Sequence, residues 1–245
     1  MRMTTKPTST ARIDHLIEEQ VLKWQKESDR RKQKREPIPP VITISRQSGN
    51  ESEEIIKKIS EALKLDIFDT QIIHEVAQSV KMSDKVAKSL DGKTRSTLDN
   101  WIQFLKANRY IFPDTYLTHL TKVIGTIGEQ GGAIILGRGA NHILPPEETL
   151  RLRFVAPLGH RIQNTSEQEG ISIEAAERQI TKKESEQRAF IKKYFEVNVD
   201  DPTYYDLIIN TQYVSPEKIV DIVKASLKFK KIPSRRRFDP KPAEQ

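Results

Sequence analysis

The sequence contains no cysteine in 245 residues, which excludes disulfides, thiol catalysis and cysteine-ligated zinc. No apolar run approaches the ~18 residues that a membrane span requires. The opening stretch, MRMTTKPTSTARIDH, is polar throughout and carries no leader-like apolar segment. Together these absences make the cytoplasm the expected compartment and a membrane an unexpected partner. Histidine is scarce as well: His15, His74, His119, His142 and His160 show no metal-ligand spacing such as HExxH, so each reads as structural or surface. Asn164-Thr165-Ser166 fits a glycosylation sequon that a cytoplasmic protein does not use.

What the chain has in quantity is charge, with a formal net of +7 placed unevenly. Residues 1–36 hold ten Lys/Arg against six Asp/Glu, and residues 228–245 hold seven against two, so the middle is 7 − 4 − 5 = −2. The basic excess belongs to the ends and not to a folded face, which points away from specific nucleic-acid binding. It divides the chain into a basic helical arm with a Pro-rich linker over 1–40, a core domain over 41–227 and a basic tail over 228–245. Residues 1–10 read as a disordered start. In the arm, Ile13, Ile17, Val21 and Trp24 step at helical spacing as far as about Lys34 and run into the basic stretch Arg30 to Arg35. Pro37-Ile38-Pro39-Pro40 then stops the helix and reads as a stiff spacer.

The core opens on VITISRQSGNESEEII, residues 41–56. Val41-Ile42-Thr43-Ile44 is a strand, Ser45 to Ser52 a polar loop, and Ile55, Ile56, Ile59 and Leu63 the inner face of a helix. Strand, tight loop and helix is the frame that holds phosphate on helix-start N–H groups. The loop has one glycine, Gly49, no lysine, and acids at Glu51, Glu53 and Glu54. Ser52 as N-cap with two acids in the first turn also makes a stable helix start that needs no phosphate.

Further strands read at Leu65 to Asp69, at the fully apolar Ala133-Ile134-Ile135-Leu136, at Leu150 to Val155 and at Tyr205 to Asn210. Helices read at Thr70 to Val80, at Met82 to Leu90 with Ser83 as N-cap, at Tyr116 to Gln130, from Pro157 to Glu169 and at Pro216 to Phe229. Residues 91–115 read as less regular, with Trp101, Phe104, Leu105, Tyr110, Ile111 and Phe112 suggesting helices that pack beside a pocket. Ser172 to Tyr194 reads as a helical region too polar for a core element. Strands alternating with helices predict an α/β fold with a parallel sheet covered on both faces.

The order ITISR…G at 42–49, FDTQII at 68–73, ILGRGANHIL at 135–144, FVAPLGHRI at 154–162, KKESEQRAFIKKYF at 182–195 and YDLIINT at 205–211 resembles the cytidylate kinase-like family, relatives of the nucleoside monophosphate kinases. The resemblance covers roughly residues 41–225 and implies a P-loop kinase-type sheet with a helical lid. It implies ATP and Mg²⁺ as cofactors and a nucleoside monophosphate, nominally CMP, as substrate. By that resemblance Ser48, Gly49, Asn50 and Ser52 occupy the phosphate-cradling loop. Asp69 stands near the acceptor phosphate and its magnesium, and Arg138 is an acceptor-phosphate contact. Arg161 is the lid-flanking arginine, Arg188 the lid arginine over the transferred group, and Asn210 lies near the donor base; no metal ligand set is assigned. Against a family loop of the form S-R-E-x-G-S-G-G-x-x-I, Glu51 and Ser52 replace glycines, and Glu53 aligns where the usual lysine falls. Arg46, just before the loop, is a candidate to compensate. Two functional classes follow: ATP-dependent phosphoryl transfer to a nucleoside monophosphate, and a catalytically degenerate protein that binds a nucleotide or partner without turnover. A basic-tailed nucleic-acid accessory factor is a third.

Overall fold

The computed structural model describes residues 9–34, 36–108, 110 and 114–230. Five parallel strands, β1 (Val41–Arg46), β2 (Asp66–Phe68), β3 (Ala133–Leu136), β4 (Thr149–Val155) and β5 (Leu207–Asn210), form one sheet in the order β2-β3-β1-β4-β5. Helices α1 (Ser9–Lys34), α2 (Ser52–Leu63), α3 (Thr70–Ala77), α4 (Val80–Ala87), α5 (Gly92–Ala107), α6 (Thr115–Gln130), α7 (Ala140–Ile143), α8 (Leu158–Glu169), α9 (Ile173–Phe195) and α10 (Pro216–Phe229) surround it. This is the α/β, P-loop kinase-type architecture with helices on both faces and a helical lid formed by α8 and α9.

Period-two alternation in the strands divides the core in two. Ile42, Ile44, Ile134, Leu152, Phe154 and Ile209 point to one face, where α2 and α10 cover them with Ile55, Ile59, Ile219 and Val223. Val41, Ala133 and Ile135 point to the other, under α1 and α3 to α7. β1 lies at the centre, with Val41 paired to Ala133 on one side and Thr149 on the other. The chain leaves β1 for one side of the sheet and returns for β4 on the other, which opens a crevice at the carboxyl ends of the strands.

Several boundaries differ from the sequence expectation. α3 ends at Ala77, and Val80 opens α4; the N-cap is Ser79, whose Oγ accepts from Met82 N, while Ser83 is buried inside the helix and bonded to His119. Residues 92–107, within the stretch expected to be less regular but to hold helices, form one sixteen-residue helix because Leu98, Ile102 and Leu105 share a buried stripe and Asp91 caps its start. α9, expected to be too polar for the core, buries Ala176, Ile180, Ile191, Tyr194 and Phe195 along one edge. The Pro-rich segment is docked and not a free spacer: Pro39 O and Pro40 O accept from Gly132 N and Ala133 N. α1 packs on the core through Ile13, Ile17 and Trp24, and the Trp24 ring stacks on Phe68 of β2 at 5.9 Å. Residues 1–8, Arg35, Ile111, Phe112 and the tail from 231 lie outside the described residues.

Candidate functional site

The loops after β1 and β3, with one face of α9, enclose a cavity of about 740 Å³ at the carboxyl ends of the strands. The loop after β1 supplies Ser48, Gly49 and Asn50 to its wall. Gly49 has φ +81°, and a Cβ there would stand 2.7 Å from Thr165 Oγ1 and 2.8 Å from Arg161 O, so α8 packs against bare backbone. Asn164 Nδ2 donates to Gly49 O at 2.9 Å. Arg161 is buried and spends its donors inside the protein: Nε on Ala156 O at 2.9 Å, Nη1 on Ser48 O at 2.9 Å and on Glu184 Oε1 at 2.7 Å. Asn50 Nδ2 reaches Phe154 O at 3.2 Å, and its Oδ1 is buried without a partner.

Ser52 is not the N-cap of α2. Glu51 holds that position without a side-chain bond, at an unstrained φ of −78°. An N-cap side-chain oxygen accepts from helix N–H groups, whereas Ser52 lies one residue inside, fully buried, with Oγ accepting from Arg46 Nη1 at 3.2 Å. Glu51 therefore needs no glycine-like backbone; positive φ in this loop falls on Gly49. Arg46 also leans to 3.9 Å from Glu53.

Across the cavity, Gly137, Arg138 and Gly139 turn with φ of 66°, 51° and 67°. Left-handed φ is costly for arginine and marks a constrained position. The Arg138 guanidinium lies 5.3 Å from the Phe190 ring centre, and its Nε is buried with no acceptor. His74 Nδ1 contacts the Tyr116 hydroxyl at 2.7 Å; burial, then the charge of Arg138, holds this histidine below its ordinary pKa. Burial raises Tyr116.

The third wall is the face of α9 bearing Gln179, Lys183, Glu184, Gln187 and Phe190, with Gln187 Nε2 donating to Arg46 O at 3.3 Å. Arg188 points off that face, half-exposed, 3.6 Å from Glu184 and 3.9 Å from Asp200. Asp69 Oδ1 caps α3 by accepting from Gln71 N at 2.8 Å. Asn210 Oδ1 accepts from Gln212 N at 3.1 Å, while its neighbour Thr211 lines the cavity. Of the residues singled out from sequence, the structure brings Ser48, Gly49, Asn50 and Arg138 together on the cavity wall. Ser52, Asp69, Arg161, Arg188 and Asn210 stand around it. Lys183 and Gln187 were not singled out; the phase of α9, set by buried Ile180 and Ile191, is the signal that places them.

Among the described residues no group of three or more His, Asp or Glu side chains could hold a metal. Magnesium in phosphoryl transfer keeps water ligands and leans on one or two carboxylates and the phosphates. The oxygen-rich wall here, with the carboxylates of Glu51 and Glu53, fits that demand.

The parallel sheet and the crevice-end cavity define a protein of the P-loop kinase type. Residues 41–213 match the profile of the Cytidylate kinase-like family, and the chain belongs to that family. It is 26% identical over 188 residues to the cytidylate kinase of Pyrococcus horikoshii, covering 76% of this chain and 88% of that one. It is 21% identical to that of Ignicoccus hospitalis, over 76% of this chain and 98% of that one. With the cytidylate kinase of Thermococcus sibiricus the match is 34% over 99 residues, 40% of this chain and 51% of the relative. An uncharacterized protein from Eubacterium ventriosum shares the fold, with a TM-score of 0.58 at 17% identity, over 77% of this chain and 98% of that one.

Proposed function

We propose that this protein transfers the γ-phosphoryl group of ATP to a nucleoside monophosphate, with CMP the nominal acceptor. The observation that carries the reading is the pairing of two unspent buried groups, Arg138 Nε and Asn50 Oδ1, within strand-end loops that line one cavity. Buried polar groups are mostly bonded; Arg138 Nε can donate to a phosphate oxygen, and Asn50 Oδ1 can accept from an N–H or O–H donor of a ligand or water. In this reading the backbone of Ser48, Gly49 and Asn50, at the start of α2, receives the donor phosphates. Arg138 holds the acceptor phosphate with a planar fork suited to its oxygens. Arg161 fixes the loop through Ser48 O, and Ser52 fixes Arg46 beside it. Asp69 faces the acceptor side, Thr211 and Asn210 the donor base, and Arg188 joins the transferred group if α9 closes further. ATP brings the phosphoryl group with its magnesium. The chain supplies positioning and charge: the bond from the γ-phosphorus to ADP breaks as a bond to the acceptor's phosphate oxygen forms. α8 and α9 exclude water, so the acceptor and not solvent takes the group.

A coupled ADP-release assay over CMP, UMP, AMP, GMP and dCMP tests this. Turnover with one of them, abolished by Arg138→Ala in a protein that still melts cooperatively, supports it. No turnover with any acceptor, at millimolar ATP, sinks it. A second reading, nucleotide binding without turnover, draws on Glu51, Glu53 and Glu54 along the wall. It expects Glu51→Gly, Ser52→Gly and Glu53→Lys together to raise ATP affinity steeply while wild type stays inactive.

A further inference from the structure

The cavity carries six glutamates and three cations on its wall, so the question is which cation is free to meet phosphate. Arg46 is committed to Ser52 and Glu53. Arg138 lies on the far side, over Phe190. Lys183 alone of the three has neither a hydrogen bond, an ion pair nor a ring contact among the described residues, and its side chain is on an exposed stretch of α9.

Its position follows from helix phase. Ile180 Cδ1 lies 3.0 Å from where a Gly49 Cβ would be, so α9 touches the loop there. Gln187 donates to Arg46 O, so α9 touches the end of β1 there. Lys183 sits between these two anchors, four residues, about 6 Å along the axis, before Gln187 and on the same face. It therefore stands over the loop. Arg188, five residues on, is rotated about 140° away at ~100° per residue and is shared between Glu184 and Asp200.

We infer that Lys183 is the residue that supplies, from the lid, the phosphate-binding cation that the loop after β1 lacks. This rests on the ATP-binding reading above. The ammonium is a mobile point charge with three donors, suited to triphosphate oxygens that differ in position from state to state. With no partner among the described residues, it gives up no ion pair to them on binding.

Calorimetric titration of the full chain with MgATP tests it, on wild type, Lys183→Ala, Lys183→Arg and Lys182→Ala. Lys182 is the matched control: it is next door, equally charged, exposed and off the cavity wall. We expect Lys183→Ala to weaken binding about tenfold or more, Lys183→Arg to stay within about threefold, and Lys182→Ala within about twofold. The loss should shrink as salt rises, and thermal melting of the ligand-free variants should match wild type. MgATP bound equally by Lys183→Ala and wild type overturns this inference and leaves the ATP reading standing. Equal losses in Lys183→Ala and Lys182→Ala also overturn it, since general surface charge then explains both. No heat from wild type at several millimolar MgATP overturns both readings together.

Discussion

Gly49 is held by two independent constraints, a left-handed φ and a Cβ position already occupied by Thr165 and the Arg161 carbonyl. Gly49→Ala should cost about 2 kcal/mol or more, because the methyl meets backbone as well as strain. Gly92 opens α5 with nothing within 4 Å of its Cβ position, so Gly92→Ala should be neutral or stabilising by roughly 0.4–1 kcal/mol. Chemical denaturation of the two variants reads the contrast; equal midpoints would refute it. His142 gives a pH-dependent counterpart. It packs between Phe195 and Tyr204 at ring distances of 5.0 and 4.9 Å, and burial, then Arg151, pushes its pKa down to about 4. An unfolded imidazole takes up its proton near 6.5 while the folded one resists until about 4. Its contribution is therefore complete above pH 6.5 and is lost as pH falls toward 4, by at most about 3 kcal/mol. Melting temperature should drop across that window, and His142→Phe should flatten this part of the profile.

At the scale of elements, α9 is fastened to the loop after β1 through Glu184. Both its oxygens are used, one by buried Arg161 at 2.7 Å and the other by Arg188 at 3.6 Å. Glu184→Ala strands the Arg161 guanidinium and should cost about 3 kcal/mol. Arg188→Ala removes a half-exposed pair and should cost under about 1 kcal/mol of stability. Urea midpoints of the two, measured side by side, decide whether Glu184 is the fastening. Strands were legible in the sequence because Val41 to Ile44, Ala133 to Leu136 and Leu207 to Ile209 are apolar runs too short for helices. The loop was legible as strand, glycine and acidic helix start. The full extent of α5 was not, because its apolar residues fall at 98, 102 and 105 within a polar, glycine-led segment, and what aligns them is packing against α6, the next helix in the chain. Lys183 was not, because in TKKESEQR neither local charge nor spacing says which lysine faces inward. That is settled by Ile180 seated on Gly49. Arg161 read as a ligand contact, while its burial beneath the loop, bonded to two carbonyls, is a matter of tertiary packing.

At the scale of the molecule, α1 lies before the 41–213 segment shared with the family yet belongs to the core. Trp24 is 3% exposed and stacked on Phe68, the residue before Asp69. Lys23 pairs with Asp66 of β2, and Lys85 of α4 with Asp14 and Glu18. Trp24→Ala should cost about 3 kcal/mol, and hydrogen exchange should quicken in β2 and α4 ahead of β4 and β5. Uniform quickening, or none, would mean that the helix is only loosely seated.

The placement of β1 has a consequence in time. Among the described strands it is the first to be synthesised, yet both of its neighbours come much later, β3 from Ala133 and β4 from Thr149. Until the ribosome has delivered residue 136, Val41 to Ile44 stay an apolar, β-branched strip with two open edges, and one edge stays open until residue 155. Every strand pairing here is parallel and distant in sequence, which slows closure of the sheet. A strand that is almost fully buried in the finished protein is thus left exposed while the protein is being made. Nascent chains stalled before Val155 should be the ones that aggregate or hold on to a chaperone.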